Sequence, residues 1–210
     1  MRRNSEPVFV PLPADEQVEL AWPTANRNLF THLAAFVART RANPDYGKPG
    51  WTRDGGRRFH RGIDIAPIHP VATGQTTTVQ FTNTSTGEEY LSDEPTFSID
   101  EEVFAVGAGV VVEINSDPDG STFGLYVLLK HQWPGSGHTF NSLYAHLGSL
   151  SVTVGQSIAS GQRIGTMGQT SSSADARNWM RIAPHLHLEF HDAEGNAYDP
   201  LAMLQNYLPR

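Results

Sequence analysis

Apolar positions recur along this chain at two different periods. Between Thr24 and Arg41 they fall at Leu29, Phe30, Leu33, Phe36 and Val37, the spacing of one helical face. Thr24 stands where a helix N-cap belongs, and Arg39 and Arg41 where a C-terminus favours cations. The spacing predicts one amphipathic helix packed on the rest of the chain, with His32 at its surface or boundary. Asn43, Pro44, Gly47, Pro49 and Gly50 then break the period as a turn-rich connection. Beyond it, short β-branched runs alternate with Gly and Pro: Val103 to Ile114, Leu125 to His131, Leu143 to Leu147 and His185 to His191. These predict an antiparallel, all-β body.

Two segments add detail. Gly-Gln-x-Ile occurs twice within residues 154–165 and then stops, which predicts closely spaced turns between short strands and not a solenoid. Residues 73–102 are polar, Thr-rich and acidic toward their end. The β propensity of Thr77 to Phe81 and Thr96 to Ile99 predicts a hairpin there, placed to border a substrate groove.

At 210 residues and 39% hydrophobic composition, the chain can bury one sizeable core. A net charge of -7 with no Lys/Arg run argues against a nucleic-acid partner. Without cysteine there is no disulfide, and any metal must be held by nitrogen and oxygen. The opening MRRNSEPVFVPLPADEQ has no apolar stretch of the length that a signal peptide or membrane span requires. A cytosolic chain and one whose targeting segment has been removed both fit that opening.

The histidines carry the chemistry. In a strand His185 and His187 project from one face while Leu186, Leu188 and Phe190 turn to the core, so one imidazole can bind a metal and the other stay free. His60 and Asp64 cannot share an ion from a straight strand, because four residues at roughly 3.3 Å rise set them about 13 Å apart. Gly62 is the residue expected to let the backbone fold between them. His146 lies in a third strand-like run, LYAHL. Each motif alone is weak, and their conjunction resembles the ligand set of a zinc hydrolase. The chain lacks His-Glu-x-x-His, which excludes the helical zincin arrangement. Glu189 shares the face of His187 and reads either as its outer partner or as an ordinary strand carboxylate. His131 is a candidate outer partner, while His69, His138 and His191 read as loop or surface residues.

In order along the chain stand FHRGIDIAP, VFAVGAGVVVE, LYVLLKH, LYAHLGSLSVTVGQSIASGQRIGTMGQT, PHLHLEF and YDPLAML. Through these motifs the stretch from Tyr46 to Leu204 resembles the LytM/lysostaphin-type zinc metallopeptidases, the M23 peptidases. The resemblance implies a mainly antiparallel, two-layer, split-barrel-like sheet fold with a short N-terminal helical extension. It divides the chain into an extension over 1–45 and a peptidase domain over 46–210, with an insertion at about 68–102. It implies Zn2+ held by His60, Asp64 and His187, with His146 and His185 acting in catalysis. Three protein ligands leave one tetrahedral position for water, as in catalytic zinc sites. Zinc lowers the pKa of that water toward about 7, and the two histidines orient or deprotonate it and serve the intermediate and the leaving amine, in an order the sequence leaves open. Because a neutral imidazole is needed, activity is expected to fall as pH drops through the histidine range.

The resemblance also implies an endopeptidase acting on bacterial peptidoglycan, at cross-bridges or stem-peptide cross-links, in the periplasm, cell envelope or outside the cell. Its partner is then a peptidoglycan peptide, and the oligomeric state stays open. Two other readings are cleavage of other glycine-rich peptides and a non-catalytic scaffold that activates another wall hydrolase. Retention of all five site residues argues against the scaffold. A cupin-like metal barrel would need a Glu several residues after the second His and a further His downstream, which the surrounding sequence does not supply. The loop between Thr170 and Pro184 is longer than the family's usual turn and carries Arg177, Trp179 and Arg181, which read either as contacts to peptide side chains or carboxylates or, for Trp179, as local packing.

Overall fold

The computed structural model describes residues 7–14, 16, 18–26, 45–68, 71–82, 88–98, 101–172 and 184–207. Residues 27–41 of the expected helix lie outside that set, as do His32, His69, Arg177, Trp179 and Arg181.

The chain runs β1 (Gly50–Arg53), β2 (Arg58–His60), β3 (Ile63–Ile65), β4 (Val71–Thr82), β5 (Glu89–Ser98), β6 (Glu102–Phe104), β7 (Gly109–Asn115), β8 (Leu125–Gln132), β9 (Thr139–Leu150), β10 (Ser157–Ile158), β11 (Arg163–Met167), β12 (Leu186–His191), β13 (Ala197–Tyr198) and α1 (Pro200–Tyr207). The pairs described are antiparallel, and nine strands share one sheet in the path β10-β7-β8-β9-β11-β6, with β12 joined to β9, β3 and β13. β1 and β2 form a separate hairpin. So do β4 and β5, where the Thr-rich segment was expected to make one.

β9 is the hub of the large sheet. Its residues 141–145 pair with β12, and its residues 147–150 pair on the same edge with β11. The strand therefore changes partner at His146, which takes φ 58° and donates its N–H to the Phe123 carbonyl. A left-handed residue inside a bulged strand re-aims its side chain.

The predicted run Val103 to Ile114 forms two strands, not one. At the break the backbone finds other partners: Val106 N–H donates to the Tyr144 hydroxyl, its carbonyl accepts from Ala21, and the Ala108 carbonyl binds His131. The repeated Gly-Gln-x-Ile makes two matching turns. Gly155 and Gly161 take φ of 84° and 72°, and Gln156 and Gln162 close their turns by accepting from Thr153 and Ala159.

Leu186, Leu188 and Phe190 are fully buried, as strand alternation requires, and join Trp133, Phe140, Leu129 and Ile164 in one core. Leu20 and Trp22, from the N-terminal segment, lie in the same core. Asp199 caps α1 by accepting from Leu201 and Ala202, with Pro200 at the first helical position. Among the described residues no helix is long and apolar enough to cross a membrane.

His131 belongs to this core and not to the site. Its Nδ1 bonds the Ala108 carbonyl, its Nε2 meets Ser142 Oγ at 2.7 Å, and its ring stacks on Phe140. Burial pushes its pKa down to about 4, against the smaller upward pull of the Ala108 bond. Below pH 6.5 the unfolded chain takes up a proton here that the folded chain refuses, so stability falls with pH until about 4 is reached. The span of about 2.5 units corresponds to roughly 3 kcal/mol. Urea unfolding from pH 7 to pH 4.5 is expected to show a steeper loss for the native protein than for His131→Gln. Parallel curves would refute this linkage.

Candidate metal centre and active site

Register builds the centre. Asp64 on β3 lies directly opposite His187 on β12, and His187 lies opposite Ala145 on β9, next to His146. His60 arrives from the end of β2, after which Arg61 and Gly62 turn the chain into β3. Gly62 is not in the left-handed region, contrary to the backbone role expected of it. A Cβ there would stand 2.7 Å from His187 Nε2 and 2.8 Å from the Leu188 carbonyl oxygen. The glycine therefore makes room for the imidazole. Gly62→Ala is expected to cost about 1–3 kcal/mol through overpacking and to weaken metal binding, checked by urea unfolding and metal titration of the same sample.

Three donor atoms converge. His187 Nδ1 is 2.9 Å from Asp64 Oδ1 and 3.1 Å from His60 Nε2, and His60 Nε2 is 3.3 Å from Asp64 Oδ1. Tetrahedral zinc with ligand bonds near 2.0–2.1 Å has ligand–ligand edges of about 3.3 Å, so this triangle has the size the metal needs. All three residues are buried and together make the described cluster able to hold a metal ion. His60 Nδ1 bonds the Lys48 carbonyl, which makes Nε2 the unprotonated nitrogen facing the centre, where Arg53 Nη2 also lies 2.8 Å from it.

The electrostatics call for a cation at this point. Burial would raise the Asp64 carboxyl, but Arg53, then His60 and His185, hold it well below the usual carboxylate range. Burial lowers His60. Burial also opposes protonation of His187, yet its bonds to Asp64 and Glu189 outweigh that and raise it to about 9. A positive charge between Nδ1 and Oδ1 is what this donor set stabilises, the kind of charge that a bound metal ion would supply.

Glu189 is the outer partner of His187: its Oε1 lies 2.8 Å from His187 Nε2. Its other oxygen, Oε2, lies 2.6 Å from Nε2 of His191. His191 is thus a half-buried strand residue tied to the centre and not the loop or surface residue expected from sequence. The clue was parity, since positions 185, 187, 189 and 191 share one face of β12. His138 is exposed, as expected.

His146 and His185 stand beside the donor triangle. Their rings are 5.0 Å apart edge to face, and His146 is 5.8 Å from the His187 ring. His185 Nε2 is 3.6 Å from Asp64 Oδ1. His146 Nδ1 donates to the Thr170 carbonyl, leaving Nε2 as a free acceptor. Burial, then His185 and His187, lower its pKa to about 3 against the weaker pull of Thr170, which keeps the imidazole neutral across the ordinary histidine range. Phe123, 5.7 Å from the His187 ring, walls the same space.

The chain as a whole is similar to known proteins. The profile of Peptidase family M23 matches residues 96–200, which contain His146, His185 and His187 but neither His60 nor Asp64. The chain is 34% identical over 101 residues to an uncharacterized metalloprotease of Haemophilus influenzae, covering 48% of this chain and 18% of that protein. It is 36% identical over 87 residues to the peptidoglycan DD-endopeptidase ShyA of Vibrio cholerae, covering 41% and 16%. It thus spans less than a fifth of either relative. Among solved structures, a chain of the SpoIIIAH and SpoIIQ complex shares the fold at a TM-score of 0.50 and 19% identity, covering 88% of this chain and 99% of that one.

Proposed function

The chain belongs to peptidase family M23, and from that premise we propose that it is a zinc-dependent endopeptidase cleaving peptide bonds of bacterial peptidoglycan outside the cytoplasm. The observation that carries this reading is the His60–Asp64–His187 triangle with two further imidazoles along one side. The substrate class comes from the name of the Vibrio cholerae relative, a peptidoglycan DD-endopeptidase.

Bound zinc supplies Lewis acidity, lowering the pKa of water toward about 7 and polarising the scissile carbonyl. His60, Asp64 and His187 would hold it through Nε2, Oδ1 and Nδ1. His146 is the proton acceptor: its tautomer is fixed by Thr170, so Nε2 can take the proton of the attacking water and return it to the leaving amine. His185 is the donor that steadies negative charge on the carbonyl oxygen as the tetrahedral intermediate forms. Burial of His60, Asp64, His185 and His187 strengthens their interactions by excluding bulk water.

The test is release of soluble muropeptides from purified peptidoglycan by zinc-loaded protein, with a chelated control. Zinc-dependent release supports the reading, and mass analysis of the fragments names the bond. Absence of release from a protein holding one zinc per chain overturns the substrate, and would favour another glycine-rich peptide or the activator role.

A further inference from the structure

We infer that Arg53 is a positioning residue for Asp64, holding Oδ2 so that Oδ1 alone faces the metal position. This rests on the reading of His60, Asp64 and His187 as metal ligands. Arg53 closes β1, where the register shifts between Trp51 and Arg53. Residues two apart in a regular strand share a face, but the bulge breaks that rule: Trp51 is 43% exposed and Arg53 is 8% exposed. Arg53 is thereby paired opposite Arg58 and placed on the face of His60.

Its Nη2 lies 2.5 Å from Asp64 Oδ2 and 2.8 Å from His60 Nε2, while the guanidinium carbon stands 3.8 Å over the Tyr46 ring. The backbone closes the arrangement, because Asp64 N–H donates to the carbonyl of Gly47, next to Tyr46. One short segment thus carries the ring beneath the guanidinium and the anchor of the carboxylate.

A buried guanidinium next to a metal site is costly unless it meets a carboxylate, and the fully buried Asp64 is that partner. Asp64 has a distinct task for each oxygen. Oδ1 faces His187, His60 and His185, whereas Oδ2 is held by Arg53. A carboxylate with both oxygens free can chelate; one with an oxygen held in a charge-assisted bond binds through the other. Arg53 in this way keeps the protein's share at three ligand atoms and leaves a coordination position open for water.

Cobalt substitution reads this directly, since four-coordinate Co2+ absorbs strongly in the visible and five- or six-coordinate Co2+ weakly. The native protein should bind one Co2+ per chain with the intense spectrum. Arg53→Met should lose several-fold in intensity as Oδ2 joins the metal, and Arg53→Lys, which keeps a charged donor, should retain most of it. An Arg53→Met spectrum matching the native one overturns the inference. Equal loss in both variants also overturns it, by tracing the effect to guanidinium packing and not to the bond with Oδ2. Should Arg53→Met fail to fold by circular dichroism, Tyr46→Leu removes the ring under the guanidinium and should give a partial loss, no change counting against the role. A native protein that binds no Co2+ would instead bring down the metal reading itself.

Discussion

His146→Ala is expected to lower peptide hydrolysis by about 10³-fold, roughly 4 kcal/mol of transition-state stabilisation, while one metal per chain is retained. The separation follows from position. His146 lies on β9 at the point where the strand changes partner, one residue past the row that joins Asp64, His187 and Ala145. Its Nδ1 is committed to Thr170, and it is not one of the three converging donors. Because His146 takes φ 58°, alanine there adds backbone strain of its own. Asparagine tolerates that region better, so His146→Asn is the cleaner variant and should lose the same activity. Steady-state kinetics beside metal analysis decides the matter, and metal loss in His146→Asn would contradict the division between ligand and proton acceptor.

His187→Ala acts on the other side of that division. Removing one of the three proposed ligands should weaken zinc binding by at least about 10³-fold, beyond the 10–100-fold typical of an outer partner. The change reaches further than the metal. His187 is the shared neighbour of two buried carboxylates, Asp64 at Nδ1 and Glu189 at Nε2. Arg53 and His191 remain as their other partners, so neither is left bare. Even so, breaking a buried charged pair from one side costs about 3–5 kcal/mol. The chelated variant should therefore unfold at lower urea than the chelated native protein. The pH dependence gives a second handle. In the metal-free protein His187 is raised to about 9, so its stabilising proton is fully present below about 6.5 and is lost as pH rises through about 9. His187→Ala should abolish that alkaline loss. Equal chelated stabilities, or the same alkaline limb in both proteins, would show that His187 does not join the two carboxylates.

Much of the site was legible because strand periodicity is local. The parity of residues 185–191 placed two histidines on one face and three apolar side chains on the other, and the buried Leu186, Leu188 and Phe190 bear that out. The same parity covers Glu189, read as a possible outer partner, and His191, misread as a loop or surface residue, whose chain to His187 the structure displays. The polar, Thr-rich segment was readable as a hairpin because β propensity rose at both of its ends. Arg53 left no such trace, since a seven-residue spacing to His60 matches no period and only a bulge turns it inward.

By itself the sequence determined which residue types could bind a metal, which faces of the strands were apolar, and that the body would be antiparallel β. All of these follow from composition and from repeats a few residues long. The tertiary structure alone decided that Asp64 stands opposite His187 across 123 residues of chain, that Gly62 must lack a Cβ to admit an imidazole, and that His146 adopts a left-handed turn. The physical reason is that these depend on strand register, on interatomic clearance and on partner exchange along β9, which arise only when distant segments pack together.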